Sequence, residues 1–183
     1  IQRRGADRLL EWLDSDASDF FTAPSSTRFH GAYEGGLVEH SLNVYECLKD
    51  YLNRPRTKEL YGMDYTPETI AVTALLHDIC KTYFYTTEIR NRKVNGKWEQ
   101  YEAFAVDDKI PYGHGEKSVM MIEEYMKLQP VERYAIRWHM GMSEANIIQT
   151  YCQAAEKYPL VLFTHMADQM ATSYLETNTG NKK

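Results

Sequence analysis

The sequence predicts an all-α fold, a helical bundle with one inserted β-hairpin near residues 83–106. Most of the chain repeats apolar residues at the three- and four-residue spacing of amphipathic helices. Residues 83–106 are instead rich in aromatic and β-branched residues around Asn95-Gly96, which is the strongest short hairpin signal. The 183 residues are enough for one domain with a real core.

Start and stop signals place the helices in chain order. The first is predicted over residues 4–13 and the second over residues 37–52. The third begins after the capping residue Thr66, with Pro67 at its first position, and is apolar nearly all round, which predicts a buried central helix. Four helices are predicted after the hairpin, at about residues 115–128, 131–139, 143–157 and 159–175.

We expect a single domain over residues 1–176 and a polar, frayed tail over residues 177–183. The chain has neither an apolar run long enough for a membrane span nor a signal stretch, so a cytoplasmic protein without a membrane partner is predicted. The net charge of −5 argues against a broad non-specific nucleic-acid surface. It still allows nucleotides or short oligonucleotides, because a bound metal adds positive charge.

The cysteines, Cys47, Cys80 and Cys152, are odd in number and far apart, and no CxxC spacing occurs. This pattern predicts reduced core thiols and neither a disulfide framework nor a thiolate zinc site. Cys80 lies beside the His77-Asp78 pair, but its position in an apolar helical context favours a packing role.

Histidines and aspartates on several predicted helices are candidate metal ligands. His77-Asp78 lies in the third predicted helix, where adjacent side chains point about 100° apart and can straddle one ion or contact two. A buried aspartate at the end of an apolar run is costly unless it is paired or metal-bound. Helical bundles assemble metal sites from facing helices. The candidate ligands are His40, His77, Asp78, His114, His139 and Asp168.

Lys81 lies four residues after His77 and is predicted to share its helix face, where it could neutralise a phosphate oxygen beside the metal. The alternative is a helical ion pair between Asp78 and Lys81, with His77 packed nearby. His165, three residues before Asp168, is predicted either to orient a metal ligand by hydrogen bonding or to pack in the core.

The order His40, His77-Asp78, Asp168 resembles the H…HD…D signature of the HD-domain metal-dependent phosphohydrolase superfamily, whose fold is an all-helical bundle. Family members with two metals add histidines between the HD pair and the last aspartate. The resemblance implies that Asp78 bridges two metal ions and that His40, His77 and Asp168 hold one of them. The ligands that it implies for the second ion are His114 and His139.

A closer resemblance is to the HD domain of bacterial 3′-to-5′ exoribonucleases, over about residues 20–171. The Gly-Gly-Leu-Val-Glu-His stretch ending at His40 and the His-Asp-Ile-x-Lys stretch ending at Lys81 are its specific parts. This resemblance implies that His30 reaches the scissile phosphate or the leaving group as a catalytic residue. Those enzymes commonly carry a nucleic-acid-binding OB domain, and nothing in these 183 residues provides one.

Imidazole and carboxylate ligands suit one or two divalent ions of Mn, Fe, Co, Ni or Zn. Water bound to such ions becomes hydroxide near neutral pH and can attack phosphorus. The predicted function is therefore cleavage of a phosphodiester in single-stranded nucleic acid or an oligonucleotide. Lys81 is the first candidate substrate contact, and Tyr33 and Tyr112 could stack on a base. Arg28, Lys109 and Arg137 are weaker candidates.

Two alternatives stay open at this point. A nucleotide phosphohydrolase (a nucleotidase, triphosphohydrolase or dinucleotide polyphosphate hydrolase) is favoured by the acidic net charge and the lack of an OB segment. A non-catalytic HD module that binds a nucleotide or a protein is disfavoured, because such modules usually lose a ligand and all six are present here. The sequence indicates no protein partner and does not predict an oligomeric state.

Overall fold

The computed structural model describes residues 1–142 and 147–176. Within those ranges the chain is all-α apart from one hairpin, which confirms the predicted fold class, and no helix there is long and apolar enough to cross a membrane. The tail 177–183 and the start of the helix predicted at 143–157 lie outside the described residues. The helices are α1 Ala6–Leu13, α2 Gly36–Leu52, α3 Pro55–Glu59, α4 Pro67–Leu76, α5 His114–Glu123, α6 Pro130–Arg137, α7 Ile148–Lys157 and α8 Leu160–Met170.

The predicted hairpin is confirmed. Strands β1 (Tyr85–Val94) and β2 (Lys97–Val106) pair antiparallel, with Tyr85 opposite Val106. Asn95 and Gly96 have φ values of 50° and 83°, as a two-residue type I′ turn requires. Most hairpin side chains are exposed, but the Tyr85 hydroxyl donates to the Ser25 carbonyl at 3.0 Å and ties the base of the hairpin to the loop before α2.

Helix α2 is central, since it packs against both α4 and α8. Its apolar residues belong to two separate core clusters, one containing Leu37 and the other containing Val44 and Leu48. His40 lies on α2 between these two sets. Polar ligands are therefore placed where the two apolar clusters meet, and the surrounding helices hold them in a rigid core.

The predicted ends of the two helices before His77-Asp78 and before His139 are wrong. Helix α4 ends at Leu76, so His77-Asp78 follows the helix instead of lying within it. Asp78 leaves helical geometry at φ −109° and ψ 17°, and a 3₁₀ turn follows at Ile79–Lys81. Likewise α6 ends at Arg137, two residues before His139. The expected 100° separation on a continuous helix does not apply, because turns set the direction of these side chains.

The short N-terminal segment before α1 joins α4 to α6 through one arginine. The Arg3 guanidinium donates to both oxygens of the Glu132 carboxylate, at 2.6 and 2.8 Å, and to Glu68 at 3.2 Å. Glu132 is fully buried and also accepts the Gln129 backbone N–H, which caps α6. A bidentate pair of this kind is strong because both partners are charged and largely shielded from water.

Replacing Arg3 tests whether its bonds to Glu68 and Glu132 stabilise the contact between α4 and α6. Arg3→Ala leaves the buried Glu132 carboxylate without its cation and should lower the free energy of unfolding by about 2–3 kcal/mol. Arg4→Ala, at the exposed neighbouring residue, is the matched control and should change it by no more than about 0.5 kcal/mol. Urea titration measures both values, and equal stabilities of the two variants would contradict a stabilising role of the Arg3–Glu132 pair.

Candidate metal centre

Five of the six predicted ligands converge at one buried point. His40 comes from α2, the His77-Asp78 pair from the turn after α4, His139 from the turn after α6, and Asp168 from α8. All five side chains are nearly inaccessible to solvent. Burial of so many ionisable groups is costly unless they pair with one another or with an ion.

One group of donor atoms surrounds His40 Nε2. That nitrogen lies 3.2 Å from His77 Nε2, 3.3 Å from Asp168 Oδ1 and 3.5 Å from Asp78 Oδ2. His40, His77 and Asp168 could together hold one metal ion. These are the ligands that the resemblance implied for the first ion, and their role stays a prediction.

A second group surrounds the other oxygen of the same aspartate. His139 Nε2 lies 3.4 Å from Asp78 Oδ1, whereas His40 and His77 lie nearest Oδ2. The His139 Nε2 atom is buried and has no hydrogen-bond partner among the described residues. The two carboxylate oxygens of Asp78 thus face different histidines, which is the arrangement that a bridging ligand needs.

Hydrogen bonds outside the cluster orient three of the rings. Nδ1 of His77 lies 2.7 Å from the Ala74 carbonyl, and Nδ1 of His139 lies 2.7 Å from the Ile136 carbonyl. A carbonyl only accepts, so each Nδ1 must carry a proton, and in the neutral ring each Nε2 then presents a lone pair to the centre. This tautomer is the one that a metal ligand requires.

Glu176 orients the third ring and is a residue that the sequence analysis missed. Its carboxylate oxygens lie 3.0 Å from His40 Nδ1, and Asn43 donates to it at 3.1 Å. It follows a π-helical turn at Ala171–Leu175, closed by a 3.0 Å bond from Glu176 N–H to the Ala171 carbonyl. An isolated glutamate at the edge of a polar tail gives no sequence signal, and only this turn brings it back to α2.

His114 lies apart from the other ligands, at the start of α5, and is half-buried. Its Nδ1 is 3.4 Å from the sulfur of Cys80, and that sulfur is 4.0 Å from Asp78 Oδ1. Asp78, Cys80 and His114 form a further group whose donor atoms could hold a metal ion. Cys80 is thus buried, as expected, but beside the ligands, whereas Cys152 is exposed and does not belong to the core.

Lys81 contacts Asp78, and not His77 whose helix face it was expected to share. Its Nζ lies 2.6 Å from Asp78 Oδ2, because the 3₁₀ turn places the two residues side by side. Burial lowers the pKa of Lys81, but the Asp78 charge outweighs it and the net pKa is raised. The ion pair considered as an alternative is therefore present, and it lies within the cluster of candidate ligands.

The charges of the metal-free site follow from these contacts. Burial alone lowers the pKa of His40, but hydrogen bonds to Asp168 and Glu176 outweigh it and raise the pKa to about 9. Burial lowers the pKa of His77 to about 4, so that ring is neutral. Burial raises the pKa of Asp168, but the hydrogen bond with His40 outweighs it and lowers the pKa to about 2.

Two other predicted histidines border the cluster. The His30 ring centroid lies 5.2 Å from that of His40, and the side chain is half-buried. Burial lowers the pKa of His30, with the charge of His40 acting in the same direction. His165 Nδ1 lies 2.7 Å from the His139 carbonyl, so it contacts the backbone of a candidate ligand.

The predicted substrate contacts other than Lys81 lie at the surface. Arg28 is exposed, stacks over Phe29 at 4.9 Å and lines a cleft between its own loop and the hairpin. The Tyr33 hydroxyl donates to Glu39 at 2.8 Å, and the Tyr112 ring is exposed. Of the weaker candidates, Lys109 pairs with Asp107 and Arg137 pairs with Glu116.

Metal uptake should depend on pH through His40. Below its pKa of about 9 the metal-free ring is protonated, and a metal must displace that proton. Affinity for Mn²⁺ should therefore rise from about pH 7 to pH 9 and level off above, with release of about one proton or more per site at pH 7. Calorimetric titration in buffers of different ionisation enthalpy measures this release, and its absence at pH 7 would contradict the assignment.

Glu176→Gln tests the same site from the outside. The amide lacks the negative charge that helps to raise the pKa of His40, so that pKa should fall. The pH range over which metal binding releases the His40 proton should then move to lower pH. Metal affinity should fall by about 10- to 100-fold, as for other partners that orient metal-bound histidines. Glu46→Gln, at an exposed glutamate of α2, is the control and should match the wild type in both measurements.

Comparisons with known proteins cover the segment that contains these donors. A family model described as the HD domain matches residues 37–173, a range that includes all six predicted ligands. The dihydroneopterin 2′,3′-cyclic phosphate phosphodiesterase of Methanocaldococcus jannaschii is 38% identical over 88 residues. That match covers 46% of this chain and 31% of the length of the relative. No solved structure matches the chain.

Proposed function

The chain belongs to the HD-domain family, as the sequence predicted, and from this premise we propose that it is a divalent-metal-dependent phosphodiesterase. The proposal depends above all on one observation. Buried imidazole nitrogens and carboxylate oxygens converge on Asp78, and outer hydrogen bonds aim the Nε2 lone pairs of His77 and His139 at that point. Hydrogen bonds within the protein leave His139 Nε2 unsatisfied among the described residues, and a cation would satisfy it.

The donor set fits one or two divalent ions. His40, His77 and Asp168 would hold one, and His139 and His114 would hold the other, with Asp78 between them. When bound, such ions supply a Lewis acid for the phosphate and lower the pKa of water to near neutrality. The nitrogen and oxygen donors of the first group are compatible with Mn, Fe, Co, Ni or Zn.

Lys81 is proposed to bind a phosphate oxygen. Asp78 accepts one of its three N–H bonds at 2.6 Å, which fixes the ammonium group beside the ligands. The other two N–H bonds can point toward a substrate, and the raised pKa keeps the group charged at neutral pH. A fixed positive charge stabilises the additional negative charge of the transition state more strongly in a buried site than in water.

His30 is proposed to transfer a proton to the leaving oxygen. It is half-buried at the edge of the cluster, next to His40, so it can meet a substrate that the buried ligands cannot reach. Burial lowers the pKa of His30, so the protonated ring would give up its proton more readily than an exposed imidazole.

A small phosphodiester attached to a heterocycle is the substrate class that we favour. The M. jannaschii relative is named for a pterin that carries a 2′,3′-cyclic phosphate. A cleft of about 440 Å³ lies between the loop containing Arg28 and the hairpin. This volume suits one nucleotide-sized group. Its lining includes Thr27, Arg28, Thr87, Arg90, Tyr101 and Phe104.

A single-stranded oligonucleotide, which the sequence analysis predicted as the first substrate, is here the second candidate. Two arginines of the cleft, Arg28 and Arg90, could bind phosphates that flank the scissile bond, and Tyr101 offers a ring on which a base can stack. The hairpin that borders the cleft has mostly exposed side chains, which a longer strand could also contact.

An activity screen tests the proposed reaction. Metal-free protein is reconstituted with Mn²⁺, Fe²⁺, Co²⁺ or Zn²⁺ and assayed with 2′,3′-cyclic nucleotides, bis(p-nitrophenyl) phosphate, a labelled oligonucleotide and p-nitrophenyl phosphate. Asp78→Asn should reduce diesterase activity on the order of a thousandfold or more, because it removes the charge between the two ion sites. Asp50→Asn, at an exposed residue of α2, should retain full activity. Hydrolysis of the monoester alone would contradict a phosphodiesterase.

Arg28→Ala tests the cleft as the substrate site. Loss of a charge-assisted hydrogen bond should raise KM for a cyclic nucleotide about tenfold or more with little change in kcat. Arg92→Ala, at an exposed hairpin arginine outside the cleft lining, is the control. A fall in kcat without a change in KM, or equal effects of the two variants, would contradict the cleft as the substrate-binding site.

A further inference from the structure

Cys80 lies in the 3₁₀ turn two residues after Asp78, and its side chain is completely buried. The sulfur faces the cluster of candidate ligands, at 3.4 Å from His114 Nδ1 and 4.0 Å from Asp78 Oδ1. The backbone N–H of Cys80 lies 3.3 Å from the Ser118 hydroxyl of α5, which fixes the turn against the helix that begins at His114. The position of the thiol is therefore set by both elements.

We propose that the Cys80 sulfur is a ligand of the second metal ion, together with His114, His139 and Asp78. A sulfur at about 2.3 Å and a nitrogen at about 2.1 Å from one ion stand about 3.1–3.6 Å apart, for angles between octahedral and tetrahedral. The distance of 3.4 Å between Cys80 and His114 falls within that range. The distance of 4.0 Å to Asp78 Oδ1 needs a shift of only a few tenths of an ångström.

His139 faces the same oxygen of Asp78 as the Cys80 sulfur does. Its Nε2 is fully buried, lies 3.4 Å from the same Asp78 oxygen and has no hydrogen-bond partner among the described residues. Asp78 is the group that this nitrogen faces, and a cation bound between them would coordinate both. One sulfur, two imidazoles and one carboxylate oxygen would make four donors, the usual number for Zn²⁺ or Co²⁺, once His139 moves closer to Cys80 and His114 than the two donor groups of this structure place it.

A sulfur ligand would change the choice of metal at this site. On coordination the thiol proton passes to solvent, and a sulfur lone pair forms the bond to the ion. Thiolate favours softer ions such as Zn²⁺, Co²⁺ or Fe²⁺ over Mn²⁺, whereas the first site offers only nitrogen and oxygen. The inference rests on the metal centre of the proposed function but does not depend on which phosphate ester is the substrate.

Optical spectroscopy of the Co²⁺-loaded protein tests the ligand directly. The 183-residue chain, freed of metal, is titrated with Co²⁺, and a thiolate-to-cobalt charge-transfer band should appear in the near ultraviolet. Cys80→Ser should lose that band while the visible bands of nitrogen- and oxygen-bound cobalt persist. Cys47→Ser and Cys152→Ser are the matched controls and should keep the band, since neither sulfur lies near the ligands.

Competition titrations add a second readout. Cys80→Ser should weaken Zn²⁺ or Co²⁺ binding at the second site by about tenfold or more and change Mn²⁺ binding much less. Two equivalents of bound Co²⁺ in the wild type without the charge-transfer band would overturn the inference, as would a band that survives in Cys80→Ser. This first result needs no variant and so does not depend on the folding of one.

The same experiment separates the inference from the proposed reaction. A charge-transfer band in a protein without phosphodiesterase activity would contradict the proposed function and support the sulfur ligand. Full activity without the band would support the proposed function and contradict the sulfur ligand. A protein that binds no Co²⁺ at all would overturn both, since both require the metal centre.

Discussion

The Asp78 carboxylate is the group on which the rest of the site depends. It is buried at the junction of α2, α4, α6 and α8, where an uncompensated negative charge would cost several kcal/mol. Lys81 neutralises one oxygen at 2.6 Å, and the histidines at 3.4–3.5 Å face both oxygens. Burial raises the pKa of Asp78, yet Lys81 and the imidazoles outweigh burial and hold the pKa well below its usual range. The carboxylate is therefore ionised and available to cations at neutral pH.

The same burial explains why the ligands come from helix ends. His77 and His139 each lie just after a helix, and each Nδ1 donates to a carbonyl of the last turn. One hydrogen bond thus ties each imidazole to a helix end and places the Nδ1 proton. Three carboxylates pair with two cations here. Asp78 pairs with Lys81, and Asp168 and Glu176 pair with His40, which is protonated when no metal is bound. Divalent ions that displace the His40 proton would supply more positive charge than the proton they replace.

The sequence predicted the bundle, the hairpin and the residues that meet at the centre, because periodicity, Asn95-Gly96 and ligand order are local signals. It did not predict that the HD pair lies beyond the end of α4, since Leu76, His77 and Asp78 are not residues that break a helix. Glu176 was missed because its approach to His40 needs a π-helical turn, and Cys80 because a thiol in an apolar run usually packs. The short helix α3 was also not predicted.

The central claim is that Asp78 lies between bound divalent ions. A crystal structure of the Mn²⁺- or Co²⁺-loaded protein, with anomalous difference maps recorded above and below the absorption edge of that metal, tests it most directly. We predict metal peaks within coordination distance of Asp78, one bounded by His40, His77 and Asp168 and the other by His139 and His114. A loaded protein whose anomalous peaks lie only at surface carboxylates, with His139 Nε2 still unligated, would contradict the account.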